Sequence, residues 1–190
     1  MSCTYFTRLC RTLSVTAIST LMTFVPVAAR ALEPGNARNI VIIFDDNPLL
    51  ATEAACIAVT AARVLSMGGT NNVTLLPVGD GVNLARAAVL NDLSLYWHKC
   101  KVPGSFVDSS EEIVQVTLKE NLEGFLQCDI DIGSCRGDND NLGNPQGTAH
   151  LYPCFICWQT RFGHTPADAG EVNPAKEVPA LLGADQILRF

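Results

Sequence analysis

The strongest constraint on the fold is an unbroken apolar run near the front of the chain, NIVIIF, at residues 39–44. Its isoleucine and valine side chains are typical of a strand that is buried on both faces of a sheet. The next segment, LLATEAACIAVTAARVLSM, has apolar residues at helical spacing, and a second apolar run, NVTLLPV, follows it at residues 72–78. Strand, helix and strand within about forty residues predict a βαβ unit, in which the strands are parallel and the crossover is right-handed.

The middle of the chain is less regular. Residues 79–81 (GDG) predict a turn before a short helix, and residues 96–110 predict a loop. Ser109 or Ser110 can cap a helix that runs through EEIVQVTLKENLEGFL. A long loop rich in Gly, Asn and Asp is predicted at about residues 128–149, because that segment has no periodicity.

The last third of the chain returns to regular patterns. HLYPC predicts a short strand that leads into a helix from about Phe155, and PAKEVPALLGADQILRF predicts a short helix and a final strand ending at Phe190. The whole pattern indicates a single α/β domain over residues 32–190. We expect a mostly parallel sheet with helices on both faces, layered as in Rossmann-like or flavodoxin-like folds.

Residues 1–31 have the three-part pattern of a secretory signal peptide. Arg8 and Arg11 precede an uncharged stretch at residues 13–29, and the small-residue sequence ARA at residues 29–31 offers a cleavage site. A retained membrane anchor is the alternative, but the apolar run is short for a bilayer and contains proline near its end. The pattern predicts a periplasmic or secreted protein with no stable membrane insertion after cleavage.

The charge of the mature chain excludes one class of partner. Without residues 1–31 there are ten basic residues against 19 acidic ones, a net charge of −9. Nucleic-acid binding needs clustered Lys and Arg, so it is not expected. Attraction to an anionic membrane surface is not expected either.

Six cysteines remain after the predicted cleavage, and in an oxidising compartment they allow 15 complete pairings. Cys128 and Cys135 can form a local disulfide that pins the long loop. Cys56 lies among alanines and valines in the predicted helix, so we expect a buried core thiol there. For Cys100 the sequence leaves the role open.

The C-x-x-C pair in PCFICWQTRFG carries the main chemical prediction. Cys154 lies where a strand ends and a helix begins, and unpaired N–H groups and the helix dipole favour a thiolate there. Arg161, two turns further on, can help to bind an anion, whereas Asp45 would oppose ionisation if it lies close. The carboxyl ends of parallel strands meet at one edge, so we expect Asp45, residues 79–81 and Cys154 to converge there.

Several other interpretations of the cysteine pair remain open. Cys154 and Cys157 can form half of a zinc site that Cys128, Cys135 or His150 completes, although the spacing of Cys128 and Cys135 is irregular for structural zinc. We therefore assign no metal and no cofactor. A thioredoxin-like oxidoreductase usually carries its motif early in the chain, and here it comes late. The pair can also be structural, in a binding or scaffold protein without catalytic activity.

Four stretches resemble the DsrE/DsrF-like proteins of sulfur-relay and sulfur-oxidation systems. They are NIVIIFDD, the helix that ends in MGG, LLPVGDGVNLA, and PCFICWQTRFG together with the tail GADQILRF. These stretches span most of residues 39–190. The GDGV turn and the cysteine segment are fairly specific, and the buried strands are not. The resemblance implies a DsrE-like fold and an assembly into oligomers, so we expect a homo-oligomer.

The resemblance also implies a function, that of a sulfurtransferase or sulfur carrier. Cys154 matches the cysteine that accepts sulfur as a persulfide, and Cys157 matches a second cysteine that can resolve the persulfide. Arg161 matches a common basic residue of the family. The partner would be a protein that donates or accepts sulfur.

The substrate-binding residues expected beside the pair are Arg161 and the residues at the same sheet edge, Asp45, Gly79, Asp80 and Gly81. The signal peptide pattern and the loop at 128–149 depart from the family, because its characterised relay proteins are cytoplasmic and the loop is longer than expected.

Overall fold

A computed structural model describes residues 38–67, 71–107, 112–135 and 147–190. Residues 34–190 form one compact unit. The predicted signal peptide at residues 1–31 and half of the predicted loop, residues 136–146, lie outside the described residues.

The described residues form six strands, six α-helices and two 3₁₀ helices. The strands are β1 (Asn39–Phe44), β2 (Asn71–Pro77), β3 (Cys100–Pro103), β4 (Ile113–Val116), β5 (Gly147–Leu151) and β6 (Gln186–Arg189). The α-helices are α1 (Thr52–Met67), α2 (Ala87–Leu90), α3 (Leu93–Trp97), α4 (Leu118–Leu126), α5 (Phe155–Phe162) and α6 (Pro174–Leu182). The 3₁₀ helices are Gly79–Ala85 and Gly104–Phe106.

The protein has an α/β fold, as the sequence predicts. Within the described residues, four parallel strands form a sheet in the order β5-β2-β1-β6. The predicted βαβ unit is confirmed, since β1 and β2 pair in parallel from Asn39↔Asn72 to Phe44↔Pro77. Helices α1 and α4 pack on one face of the sheet, and α6 packs on the other.

Burial on both faces explains the unbroken apolar run of β1. Ile40, Ile42 and Phe44 lie in the core cluster that contains α1, and Val41 belongs to the cluster against α6. Small residues on α1 bring the helix close to the sheet, and four of them are 0% exposed: Ala55, Ala58, Val59 and Ala62. Their spacing of three to four residues places them on one helical face.

The structure corrects two predictions for the middle of the chain. Residues 96–110 were expected to form a loop, but they contain the end of α3 and the strand β3. The predicted helix through EEIVQVTLKENLEGFL is a strand followed by a helix, because IVQV forms β4 and pairs antiparallel with β3. β-branched residues favour that strand, but it also needs a partner strand, β3, which lies outside the segment itself. The predicted capping serines, Ser109 and Ser110, lie outside the described residues.

Helix α4 begins at a capping box. The Thr117 side chain accepts a hydrogen bond from the Glu120 N–H at 3.1 Å, and Glu120 Oε2 accepts one from the Thr117 N–H at 2.6 Å. These two bonds satisfy N–H groups that the helix itself leaves unpaired.

Replacing Thr117 with alanine is expected to lower the free energy of unfolding by about 1 kcal/mol.

The hydrogen bond from the Thr117 backbone holds the pKa of Glu120 below its usual range. Stability from this carboxylate is therefore present above the pKa of an unfolded glutamate and is lost as pH falls through the lower folded pKa. Urea unfolding over a pH series gives the free energy of unfolding of the wild type and of Glu120→Gln. If the difference between these two free energies stays constant with pH, the argument is contradicted.

Two disulfides occur within the described residues. Cys56 on α1 pairs with Cys100 at the start of β3, and Cys128 pairs with Cys135 after α4. The prediction that Cys56 is a free core thiol is wrong, although its burial was expected, since it is 6% exposed. The Cys128–Cys135 bond is the local pairing that the sequence suggested. None of the helices in the described ranges has the length and apolar character needed to cross a bilayer.

Candidate functional site

The carboxyl ends of β1, β2 and β5 meet at one edge of the sheet, as the sequence predicts for parallel strands. The Cys154 N–H donates to the Pro77 carbonyl oxygen at 2.9 Å, which joins the residue after β5 to the end of β2. The Gly81 N–H donates to the Asp45 carbonyl oxygen at 3.1 Å, which joins the 3₁₀ helix to the end of β1. The residues predicted to converge therefore do so.

Helix α5 begins at Phe155, where the sequence predicted it, and Cys154 is its N-cap. The Cys154 side chain makes no capping hydrogen bond to the described backbone. Instead Glu177, on α6, accepts a hydrogen bond from the Phe155 N–H through Oε2 at 2.9 Å. Sequence reasoning missed Glu177, because its only local signal is an acidic residue in the first turn of α6.

The two thiols lie side by side. Among the cysteines of the described residues, Cys154 and Cys157 are the two outside a disulfide. Their Sγ atoms are 2.8 Å apart, and Cys157 Sγ donates a hydrogen bond to Cys154 Sγ. The Gly79 N–H donates to Cys157 Sγ at 3.2 Å. The 3₁₀ helix after β2 thus contacts the second cysteine of the motif.

The sequence predicts that Cys154 is a thiolate because it lies at the start of a helix, and this prediction is wrong. Burial raises the pKa of the Cys154 thiol to about 12, and the hydrogen bond to Cys157 and the negative charge of Glu177 add to that rise. The backbone N–H of Cys157 acts in the opposite direction without reversing it. Cys154 is therefore protonated at neutral pH. The N-terminus of α5 does not ionise it, because burial outweighs the effect of the Cys157 N–H, and the Phe155 N–H donates to the Glu177 carboxylate.

Two ion pairs flank the thiols. Arg161 pairs with Asp80 at the start of the 3₁₀ helix, and Arg189 of β6 pairs with Asp45. Arg161 therefore reaches the sheet edge, where its guanidinium forms an ion pair with the Asp80 carboxylate. Arg189, which sequence reasoning did not select, neutralises the carboxylate that was expected to disfavour a thiolate.

The GDG segment is the first turn of a 3₁₀ helix, rather than the plain turn that was predicted. Gly79 has a φ of +52°, a conformation that residues with a side chain rarely adopt. A methyl group on Gly81 would lie 2.3 Å from the Phe44 carbonyl oxygen. The close approach at Gly81 presses the 3₁₀ helix against β1, and this contact sets the position of the Gly79 N–H.

A buried aromatic group anchors α5 below the thiols. Trp158 is 1% exposed and donates through Nε1 to the Thr165 carbonyl oxygen at 2.6 Å. Its ring lies 4.6 Å from that of Phe162, and the Arg86 guanidinium lies 4.7 Å from the Phe162 ring. Because Trp158 follows Cys157 directly, its burial holds the first turn of α5 in a fixed orientation.

The additional ligands considered for zinc are not assembled at the thiols. Cys128 and Cys135 are bonded to each other, and the His150 ring stacks on Tyr152 with 5.4 Å between ring centroids. No group of three or more His, Cys, Asp or Glu residues suited to a metal ion occurs within the described ranges. Cys154 and Cys157 therefore form a dithiol with Glu177 as the nearby acid.

Comparisons with known proteins add little beyond the fold. No family model and no curated protein matches the chain. Among solved structures, the chain is similar to the ychN protein from E. coli, with 13% sequence identity and a TM-score of 0.46, over 80% of this chain and 99% of that one. A likeness at that level establishes neither a family nor an activity.

Proposed function

We propose that this protein carries sulfur on the Cys154–Cys157 dithiol, as an exported sulfur-transfer protein of the DsrE-like kind. The observation that supports the proposal is the pair of free thiols, 2.8 Å apart at the carboxyl edge of a parallel sheet. The other four cysteines of the described residues are all bound in disulfides. Retaining two adjacent thiols in such a chain favours a chemical role for them.

The proposed chemistry has two steps. A cysteine thiolate attacks the outer sulfur of a persulfide donor, RS–SH; a new S–S bond forms on the protein, the old one breaks, and RS⁻ leaves. An acceptor thiol can then take the outer sulfur from the protein persulfide. Alternatively, the second cysteine attacks the inner sulfur, which forms the Cys154–Cys157 disulfide and releases HS⁻. An external dithiol must then reduce that disulfide before another cycle.

Two observations favour an oxidising compartment for this chemistry. The described residues contain two disulfides, and such bonds persist outside reducing compartments. Residues 1–31 also have the pattern of an export signal. The proposed partners are a sulfur-donor or sulfur-acceptor protein and further copies of the same chain.

Replacing both thiols with serine (Cys154→Ser with Cys157→Ser) is expected to abolish sulfur loading. Incubating the protein with a low-molecular-weight persulfide should add about 32 Da to the wild type, seen by intact mass spectrometry, and nothing to the variant. The matched control replaces Cys128 and Cys135 with alanine, which removes two cysteines and leaves the dithiol intact. That control should load like the wild type. Equal loading of the wild type and the double serine variant would refute the proposal.

A binding function is the second candidate, and one surface feature favours it. An apolar groove of about 740 Å³ runs along α1 beside the Cys56–Cys100 disulfide, lined in part by Ile57, Ala61 and Val64. Its volume is within the range of small-molecule sites. This function predicts that the double serine variant keeps the biological activity of the protein, whereas sulfur transfer predicts that it loses that activity.

A further inference from the structure

We infer that the groove along α1 binds a carboxylic acid with a single aliphatic chain. The groove shares no lining residue with the dithiol site, so the inference does not depend on the proposed sulfur transfer. It names a ligand class for the binding function that stands as the second candidate.

The first wall of the groove is the outer face of α1. Ile57, Ala61 and Val64 recur every three or four residues, so they lie on one side of the helix, away from the small residues that pack on the sheet. Ile57 is 49% exposed and Val64 is 43% exposed. Aliphatic side chains that stay exposed in a row on one helical face are typical of a surface that binds an apolar group.

The second wall carries positive charge. Lys99 precedes β3 directly, Lys101 lies within it, and both line the groove. Neither lysine forms an ion pair with a carboxylate of the described residues. The Lys99 ammonium lies over the Tyr96 ring, 4.4 Å from its centroid, a contact that leaves its charge uncompensated. Both ammonium groups can therefore donate hydrogen bonds to an anion.

The groove is positive although the protein is acidic. Glu53 is the acidic residue of the lining, and the two lysines outnumber it, whereas the mature chain has a net charge of −9. Elsewhere Lys119, Arg161 and Lys176 are paired with carboxylates. A groove with one apolar wall and one basic wall complements a ligand that is apolar along its length and anionic at one end.

The disulfide between the two walls sets the orientation of the ligand. Cys56 of α1 and Cys100 of β3 have their Cα atoms 5.2 Å apart, so the lysines on either side of Cys100 lie near the level of Cys56. Val64 comes eight residues after Cys56, about 12 Å along the helix. The carboxylate therefore lies near the lysines, and an extended aliphatic chain runs past Ile57 to Val64. Because the bond fixes both walls, little ordering is needed on binding.

Calorimetric titration at neutral pH tests the ligand class with three probes that share one decyl chain: decanoate, decanol and decyltrimethylammonium. Decanoate is ionised there, as carboxylic acids are. The wild type is expected to bind decanoate roughly tenfold more tightly than decanol, because only the carboxylate makes charge-assisted hydrogen bonds with lysine. The cation should bind most weakly. Equal affinities for the three probes, or no uptake of decanoate, would overturn the inference.

Lys99→Gln combined with Lys101→Gln tests the basic wall. This variant should bind decanoate about tenfold more weakly than the wild type and bind decanol equally well. The matched control is Lys119→Gln combined with Lys176→Gln, which removes as much positive charge outside the groove, from lysines that are paired with carboxylates. The control should bind decanoate like the wild type. Equal losses in the two double variants would show an effect of net charge alone and overturn the inference.

Val64→Asn tests the apolar wall. It should weaken the binding of decanoate and of decanol alike, by about fivefold, because it removes apolar contact and leaves the lysines in place. Thermal unfolding of every variant checks that the fold is preserved. Sedimentation of the wild type and of Val64→Asn tests a second copy of the chain as the occupant. A change of oligomeric state in Val64→Asn, together with no uptake of decanoate by the wild type, would assign the groove to an interface and overturn the inference.

The double serine variant of Cys154 and Cys157 separates this inference from the proposed function. It should bind decanoate like the wild type, since neither cysteine lines the groove. A wild type that binds decanoate but takes up no sulfur refutes sulfur transfer and supports the groove as a binding site. A wild type that takes up sulfur but no decanoate does the reverse.

Discussion

Replacing Cys56 and Cys100 together with alanine is expected to lower the free energy of unfolding by about 4 kcal/mol, because their bond spans 44 residues. A crosslink restricts the unfolded chain, and the restriction grows with the length of the loop that it closes. The same bond ties α1 to β3, so the antiparallel pair β3–β4 loses its covalent link to the main core. For a domain of this size the midpoint of thermal unfolding should fall by about 10 °C.

The Cys128–Cys135 bond provides the comparison. It spans seven residues, so replacing both of its cysteines with alanine should cost only about 2.5 kcal/mol in the same chain-entropy treatment. Both variants remove two cysteines and one crosslink, and urea unfolding of each under non-reducing conditions gives the two free energies. A larger loss from the short loop than from the long one would contradict the argument from loop length.

Gly81→Ala is expected to destabilise the protein by about 3 kcal/mol and to disturb the thiol site. The new methyl group would lie 2.3 Å from the Phe44 carbonyl oxygen, which belongs to a central strand and cannot move aside freely. The 3₁₀ helix must therefore shift away from β1. The Gly79 N–H would move with it and leave Cys157 Sγ without that hydrogen bond.

Gly79→Ala separates the strain of the backbone from this collision. A methyl group there would lie 3.4 Å from the Asp45 carbonyl oxygen, an ordinary contact distance, but the φ of +52° costs about 1–2 kcal/mol for a residue with a side chain. Because the variant keeps its backbone N–H, the rate of Cys157 alkylation should change less than in Gly81→Ala. Unfolding and alkylation rates measured on both variants test this, and a milder effect of Gly81→Ala in both assays would refute it.

The elements that were predicted correctly have signals in their own residues. The apolar run of β1 and the helical spacing in α1 each identify a buried element without knowledge of the rest of the chain. The start of α5 was equally clear, because strand residues and Pro153 precede Cys154. Parallel strands imply a shared carboxyl edge, so the convergence of Asp45, Gly79 and Cys154 also followed from the pattern.

The predictions that failed depended on partners outside the segment concerned. IVQV at Ile113–Val116 forms a strand because β3 pairs with it, and a helical pattern in the neighbouring residues concealed this. Cys56 was correctly expected to be buried, but its bond with Cys100 requires the two Cα atoms to come within 5.2 Å across 44 residues. One sequence offers 15 such pairings and no means of ranking them.

The amino-acid sequence by itself determined the α/β class, the parallel βαβ unit and the place of the C-x-x-C pair at the carboxyl edge, because periodicity and local capping act over a few residues. The tertiary structure decided the protonation of Cys154. Glu177 lies 22 residues after Phe155, yet it takes the first N–H of α5, and Gly79 comes from another loop to contact Cys157. The pKa of a thiol depends on burial and on charges a few ångströms away in space, so folding determines the protonation of Cys154.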